Sequence, residues 1–97
     1  MFRVISARFF INGTWFNEVW IDSHYEEKHS GSITDSLILE LVGLLNYQTF
    51  LPQVTRQDGF QFFETSLVLK DKPYRLVWVV PPDGSYLGVR NAYRKSR

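Results

Sequence analysis

The stretch Tyr74-Arg75-Leu76-Val77-Trp78-Val79-Val80-Pro81-Pro82-Asp83-Gly84-Ser85-Tyr86-Leu87-Gly88-Val89-Arg90-Asn91-Ala92-Tyr93-Arg94 decides how this chain is read. Two runs of β-branched and aromatic residues flank a Pro-Pro-Asp-Gly-Ser turn, so the pattern predicts a β-hairpin with strands at about 74–80 and 86–93. A two-residue Asp83-Gly84 loop and a four-residue Pro82–Ser85 loop give the same register, with Val80 opposite Leu87. Side chains alternate between faces. Tyr74, Leu76, Trp78 and Val80 are then expected on a core face with Leu87, Val89, Asn91 and Tyr93. Arg75, Val77 and Val79 are expected on the other face with Gly88, Arg90, Ala92 and Arg94. From Tyr74 to the end, Asp83 is the only acid beside Arg75, Arg90, Arg94, Lys95 and Arg97. Positive charge is therefore gathered at one end of a chain whose net charge is only +1, which suits a polyanionic partner.

Working outward, a strand is expected at about 60–69, joined to 74–80 by Lys70-Asp71-Lys72-Pro73. A four-residue turn there pairs Leu69 with Tyr74. It adds Phe62, Glu64, Ser66 and Val68 to the arginine face, with Glu64 across from Val79 and within reach of Arg90. At the N-terminus, Asn12-Gly13 between aromatic runs predicts a second hairpin, with strands at about 2–11 and 14–21. Residues 23–29 are polar and suit one or two helical turns. After Ser30-Gly31-Ser32, Thr34 is a candidate N-cap, and Asp35 complements the helix dipole. Leu37, Ile38, Leu41, Val42 and Leu45 recur at helical spacing, so a helix is expected over about 35–46, stopping near Asn46. Residues 47–58, around Pro52, are expected to be loop. The order β-β-α-α-β-β-β implies an α+β fold: an antiparallel sheet with two helices packed on one face and an extra N-terminal hairpin. With 97 residues the chain is expected to be a single domain spanning 1–97.

Composition narrows the function. Aromatics make up 16% of the chain and cysteine is absent, so a globular core is expected and thiolate chemistry is excluded. The absence of cysteine suits a cytoplasmic location. No apolar run approaches the roughly 20 residues of a membrane span, and charge interrupts the start too often for a signal peptide. His24 and His29 point about 140° apart on a helix and make a poor metal pair, so no metal and no cofactor is expected. Gly84-Ser85-Tyr86-Leu87-Gly88 lacks the pattern of a phosphate loop. Asp22 with Glu26 or Glu27 reads as an exposed acidic patch.

The arginine face suits RNA cleavage. That reaction needs a base for the 2′-hydroxyl proton, cations for the charged phosphorane and an acid for the leaving oxygen. Arg75, Arg90 and Arg94 supply cations that bind phosphate in a planar fork. Glu64 or His24 is a candidate base. Tyr86 and Tyr93 can stack on a nucleobase or donate a proton, and Lys95 and Arg97 add attraction for RNA. The competing reading is a solvated sheet face whose arginines pair with acids. A second function class is open as well. Phe9, Phe10, Trp15, Phe16 and Trp20 exceed what so small a core needs, and the surplus could form a protein interface.

Three segments carry a resemblance. They are a polar segment with Ser23-His24, then Ile33-Thr-Asp-Ser-Leu-Ile-Leu-Glu-Leu-Val42, then a strand pair closing in Gly88-Val-Arg-Asn-Ala-Tyr-Arg94. Over about 22–95 the chain resembles small toxins of bacterial type II toxin–antitoxin systems, the RelE/ParE-like and BrnT-like groups. The resemblance implies a RelE-like fold and a metal-independent endoribonuclease (an mRNA interferase) acting on free or ribosome-associated RNA. It also implies a cognate antitoxin as partner, and a homo-oligomer is a further possibility. Carried over residue by residue, it points to Arg75, Arg90, Tyr93 and Arg94 on the sheet and His24 on a helix. The aromatic N-terminal hairpin departs from RelE, and Lys28 alone stands where RelE has a lysine-rich helix. ParE-like members poison gyrase without catalysis, so fold alone does not decide the activity.

Overall fold

The structure is a computed structural model in which residues 2–23 and 33–95 are described. The N-terminal hairpin forms as the Asn12-Gly13 signal predicts, from β1 (Phe2–Ile11) and β2 (Thr14–Asp22). Both turn residues have positive φ, 53° and 72°, the backbone that a two-residue hairpin loop requires. One helix follows, α1 (Asp35–Gly43), then β3 (Val54–Thr55), β4 (Gln61–Leu69), β5 (Lys72–Val80) and β6 (Leu87–Arg94).

These strands form one six-stranded sheet in the order β1-β2-β6-β5-β4-β3. All neighbours are antiparallel except β2 and β6, which run parallel through Val19↔Leu87, Trp20↔Gly88 and Ile21↔Val89. The expectation of a RelE-like antiparallel sheet under two helices is therefore wrong. The sheet is mixed, and among the described residues a single nine-residue helix covers it. The N-terminal hairpin is no appendage, because β2 docks beside the last strand. A parallel neighbour needs a crossover of a dozen or more residues, and the segment between β2 and β6 supplies it. The helix expected at 23–29 lies almost entirely outside the described residues.

Local chemistry sets the helix ends. The Thr34 hydroxyl accepts a hydrogen bond from the Leu37 N–H at 3.1 Å, satisfying one of the helix's orphan donors. Arg3 of β1 grips Asp35 with two hydrogen bonds, Nε to Oδ2 at 3.0 Å and Nη2 to Oδ1 at 2.8 Å. The helix stops short of the expected position 46 because the chain turns there to pair with the edge of β1. Asn46 Oδ1 accepts from the Phe10 N–H at 2.7 Å, Tyr47 N–H donates to the Phe10 carbonyl at 2.6 Å, and Asn12 N–H donates to the Gln48 carbonyl at 3.0 Å.

The core lies between α1 and one face of the sheet. Ile38, Leu41 and Val42 of the helix meet Ile11, Phe16, Val19, Ile21, Leu76, Trp78, Leu87 and Val89. The largest buried side chain is Trp78, whose ring stacks on Phe63 at 3.9 Å. Phe50 meets it edge-on at 5.7 Å, and its indole N–H donates to the Thr65 hydroxyl at 3.0 Å.

Two turns differ in what they demand. Leu69 pairs with Lys72, not Tyr74, so the β4–β5 turn has two residues, Lys70 and Asp71. Their φ values of 53° and 64° are left-handed, a strained choice for non-glycine residues. Replacing them together by Asn and Gly should raise unfolding stability by about 0.5–1 kcal/mol, the strain relieved exceeding the added chain entropy. Urea denaturation would measure it, and a loss of stability would refute the assignment. At the β5–β6 turn, the Ser85 hydroxyl and then its backbone N–H hold the Asp83 carboxyl below its usual value of 3.8. A lowered acid stabilises above its unfolded pKa, and that contribution disappears as the pH falls through the lowered value. The Ser85 amide should therefore lose exchange protection on acidification from about pH 5 to about pH 2.

Candidate nucleic-acid interface

The β5–β6 register decides the site. Near the turn it is as expected, with Trp78↔Val89 and Val79↔Gly88. Between Val77 and Trp78 it shifts by one, because Arg90 is an extra residue on β6, and the pairs become Val77↔Asn91, Leu76↔Ala92, Arg75↔Tyr93 and Tyr74↔Arg94. The bulge inverts the facing of everything after it. The expectation that Asn91 and Tyr93 face the core is overturned: Ala92 is fully buried beside Leu76, while Asn91 and Tyr93 join Arg75 on the outer face. The physical reason is polarity. Unbulged, the strand would press the Asn91 amide into the core and leave Ala92 outside, and a buried unpaired amide is costly. Arg94 consequently pairs with Tyr74 on the helix side.

With faces assigned, the outer face grades from apolar to polar. One row crosses all six strands: Val4, Trp20, Gly88, Val79, Phe62 and Val54 are successive partners. Gly88 lies near its centre, and its missing side chain is required. A Cβ there would lie 2.7 Å from Val79 Cγ1 and 3.4 Å from Tyr86 Cε1. Tyr86 stacks on Trp20 with ring centroids 4.1 Å apart and planes 10° from parallel, and Phe2 flanks Trp20 at 6.0 Å. The result is a cleft of about 280 Å³, lined chiefly by Phe2, Phe60, Phe62, Tyr86, Arg56 and Arg90 over a floor of Val79 and Gly88. Arg56 lies 5.9 Å from the Phe60 ring centroid and 5.8 Å from that of Phe62. Each cleft arginine has a carboxylate: Arg56 with Asp58 at 2.8 Å and Arg90 with Asp22 at 3.4 Å.

Further along the same face is a polar cluster. The two-residue β4–β5 turn puts Glu64 opposite Val77, two residues away from its expected partner Val79. Its carboxylate is held by Arg75, not Arg90, at 2.9 Å. Arg75 Nη2 and Lys95 Nζ both donate to the Ser66 hydroxyl, at 3.4 and 3.2 Å. Tyr93 stands opposite Arg75.

Of the residues singled out in the sequence, Glu64, Arg75, Tyr93 and Lys95 meet in this cluster, while Tyr86 and Arg90 line the cleft. Arg94 reaches the cluster only around the sheet's end, where it lines a shallow depression with Arg75, Tyr93 and Lys95. His24 and Arg97 lie outside the described residues. Sequence reasoning missed Phe2, Trp20, Arg56 and Phe60 as partners of one cleft, because the parallel β2–β6 contact and the short strand β3 have no local signal. The aromatic surplus divides. Phe16 is core and Phe9 packs against it, whereas Phe10, Trp15 and Trp20 stand on outer-face positions.

The fold is thus an open mixed sheet with a helix on one face and an aromatic, arginine-lined cleft on the other. The chain matches no family model, no curated protein and no solved structure among known proteins. Among the described residues, no helix is long and apolar enough to cross a membrane.

Proposed function

We propose that this protein acts on single-stranded RNA as a metal-independent endoribonuclease of the toxin type, with the outer face of its sheet as the contact surface. The observation that carries this reading is the cleft: aromatic rings beside guanidinium groups on a rigid sheet. Such surfaces suit unpaired nucleotides, because every nucleotide offers a base with a π-face to stack and a phosphate to neutralise.

The polar cluster next to the cleft has the chemistry for strand scission. Glu64 takes the proton of a ribose 2′-hydroxyl, whose oxygen attacks the adjacent phosphorus. Arg75 neutralises the phosphorane. The bond from phosphorus to the 5′-oxygen breaks, and that oxygen takes a proton from Tyr93. A 2′,3′-cyclic phosphate and a free 5′-hydroxyl result. In this reading the protein works in the cytoplasm, and a cognate antitoxin silences it by covering the outer face.

Purified protein incubated with single-stranded RNA in a chelator should generate cyclic-phosphate ends. Glu64→Gln should slow the reaction by about 10²–10⁴-fold without weakening binding. RNA left intact at protein excess, with and without ribosomes, refutes the nuclease. RNA bound but uncut would leave a binding protein.

A further inference from the structure

The outer face carries a second aromatic group at the opposite end of the N-terminal hairpin. Phe10 and Trp15 are cross-strand partners with ring centroids 5.0 Å apart, and Tyr47 meets Trp15 edge-on at 6.3 Å. Trp15 is 45% exposed and Tyr47 72%. The Arg8 guanidinium lies 4.4 Å from the centroid of the Trp15 ring. Among the described residues no carboxylate pairs with Arg8, unlike the arginines of the cleft. A neutral or cationic occupant would leave this charge uncompensated, whereas a phosphate would satisfy it.

Trp15 and Trp20 lie on one strand and both face away from the core, since their neighbours Phe16, Val19 and Ile21 are buried and the strand's alternation breaks at Asn17-Glu18, where the β1–β2 register shifts. Five residues separate them by at most roughly 17 Å, the span of a regular extended strand. A stacked strand rises about 3.4 Å per nucleotide, so this distance spans about five stacked nucleotides and fewer when the bases splay. Asn17 and Glu18 lie between, and Glu18 is held by the Trp20 indole N–H at 3.0 Å.

Resting on the RNA reading above, we infer that Trp15, Phe10, Tyr47 and Arg8 form a second stacking station for the same strand. The site then takes a run of several nucleotides laid along β2, not a single base. Affinity depends on length, and the two stations are separable.

The test is titration of two oligouridylates, a trimer and an octamer, against the whole chain, followed by NMR or fluorescence. The octamer should bind at least tenfold more tightly than the trimer. Trp15→Ala should weaken the octamer by about 5- to 150-fold and leave the trimer unchanged, while Tyr86→Ala weakens both. Arg8→Glu leaves the aromatic rings in place and should reproduce the selective loss. Binding of both oligomers with no selective effect of Trp15→Ala or Arg8→Glu overturns the second station but not the RNA reading. Failure of the unmodified protein to bind either oligomer overturns both.

Discussion

Replacing Trp78 with alanine is expected to lower the unfolding free energy by about 3–5 kcal/mol. Small domains have about 5–15 kcal/mol in total, so the loss is a large share. Three interactions end together. The indole is fully buried, stacked on Phe63 at 3.9 Å and edge-on to Phe50 at 5.7 Å, so its removal opens a cavity that close-packed neighbours fill only in part. The Thr65 hydroxyl also loses its donor at 3.0 Å. The urea midpoint should fall by about 2 M at a typical slope. Trp78→Phe keeps a ring in the stack and should cost clearly less. Equal losses for the two variants would mean that the hydrogen bond dominates the packing, contrary to the burial seen here.

Gly88→Val should have the largest effect on RNA. The added Cβ falls 2.7 Å from Val79 Cγ1, and Val79 is β-branched and 95% shielded, so it has little freedom to rotate away. The overpacking should cost about 1–3 kcal/mol of stability. The same side chain presses on Tyr86 and fills the floor of the cleft. Loss of one stacked base is worth about 1–3 kcal/mol, so affinity for single-stranded RNA should drop by about 5- to 150-fold in protein that circular dichroism shows to be folded. Undiminished binding by the folded variant would exclude the cleft as the base site. The outcome separates cleft from cluster: Glu64→Gln should slow cleavage sharply and keep binding, whereas Gly88→Val should weaken binding itself.

Much of the secondary structure was legible because its causes are local. Asn12-Gly13 and Asp83-Gly84 mark hairpin tips through turn chemistry, and Thr34 marks a helix start through one side-chain acceptor. The arginine face was legible only in part. Arg75 and Glu64 did fall on the face that alternation assigned them, because a turn of two residues and one of four preserve parity. Arg94 did not, because the bulge at Arg90 inverts parity beyond it. Nothing near Arg90 announces an extra residue. It becomes favourable only against β5, where Ala92 can be buried and Asn91 must not be.

The sequence by itself determined the five long strands, the two glycine-bearing turns, the helix start and the gathering of positive charge near the C-terminus, since each depends on residues a few positions apart, whereas the short β3 and the two-residue β4–β5 turn were not legible in it. Only the tertiary structure decided that β2 lies parallel to β6, that Trp20 therefore stacks on Tyr86 beside Gly88, and that Phe2 and Phe60 border one cleft. Those neighbours are separated by dozens of residues. Their pairing is chosen by how the whole set of apolar faces buries against α1, a quantity that no short window of sequence contains.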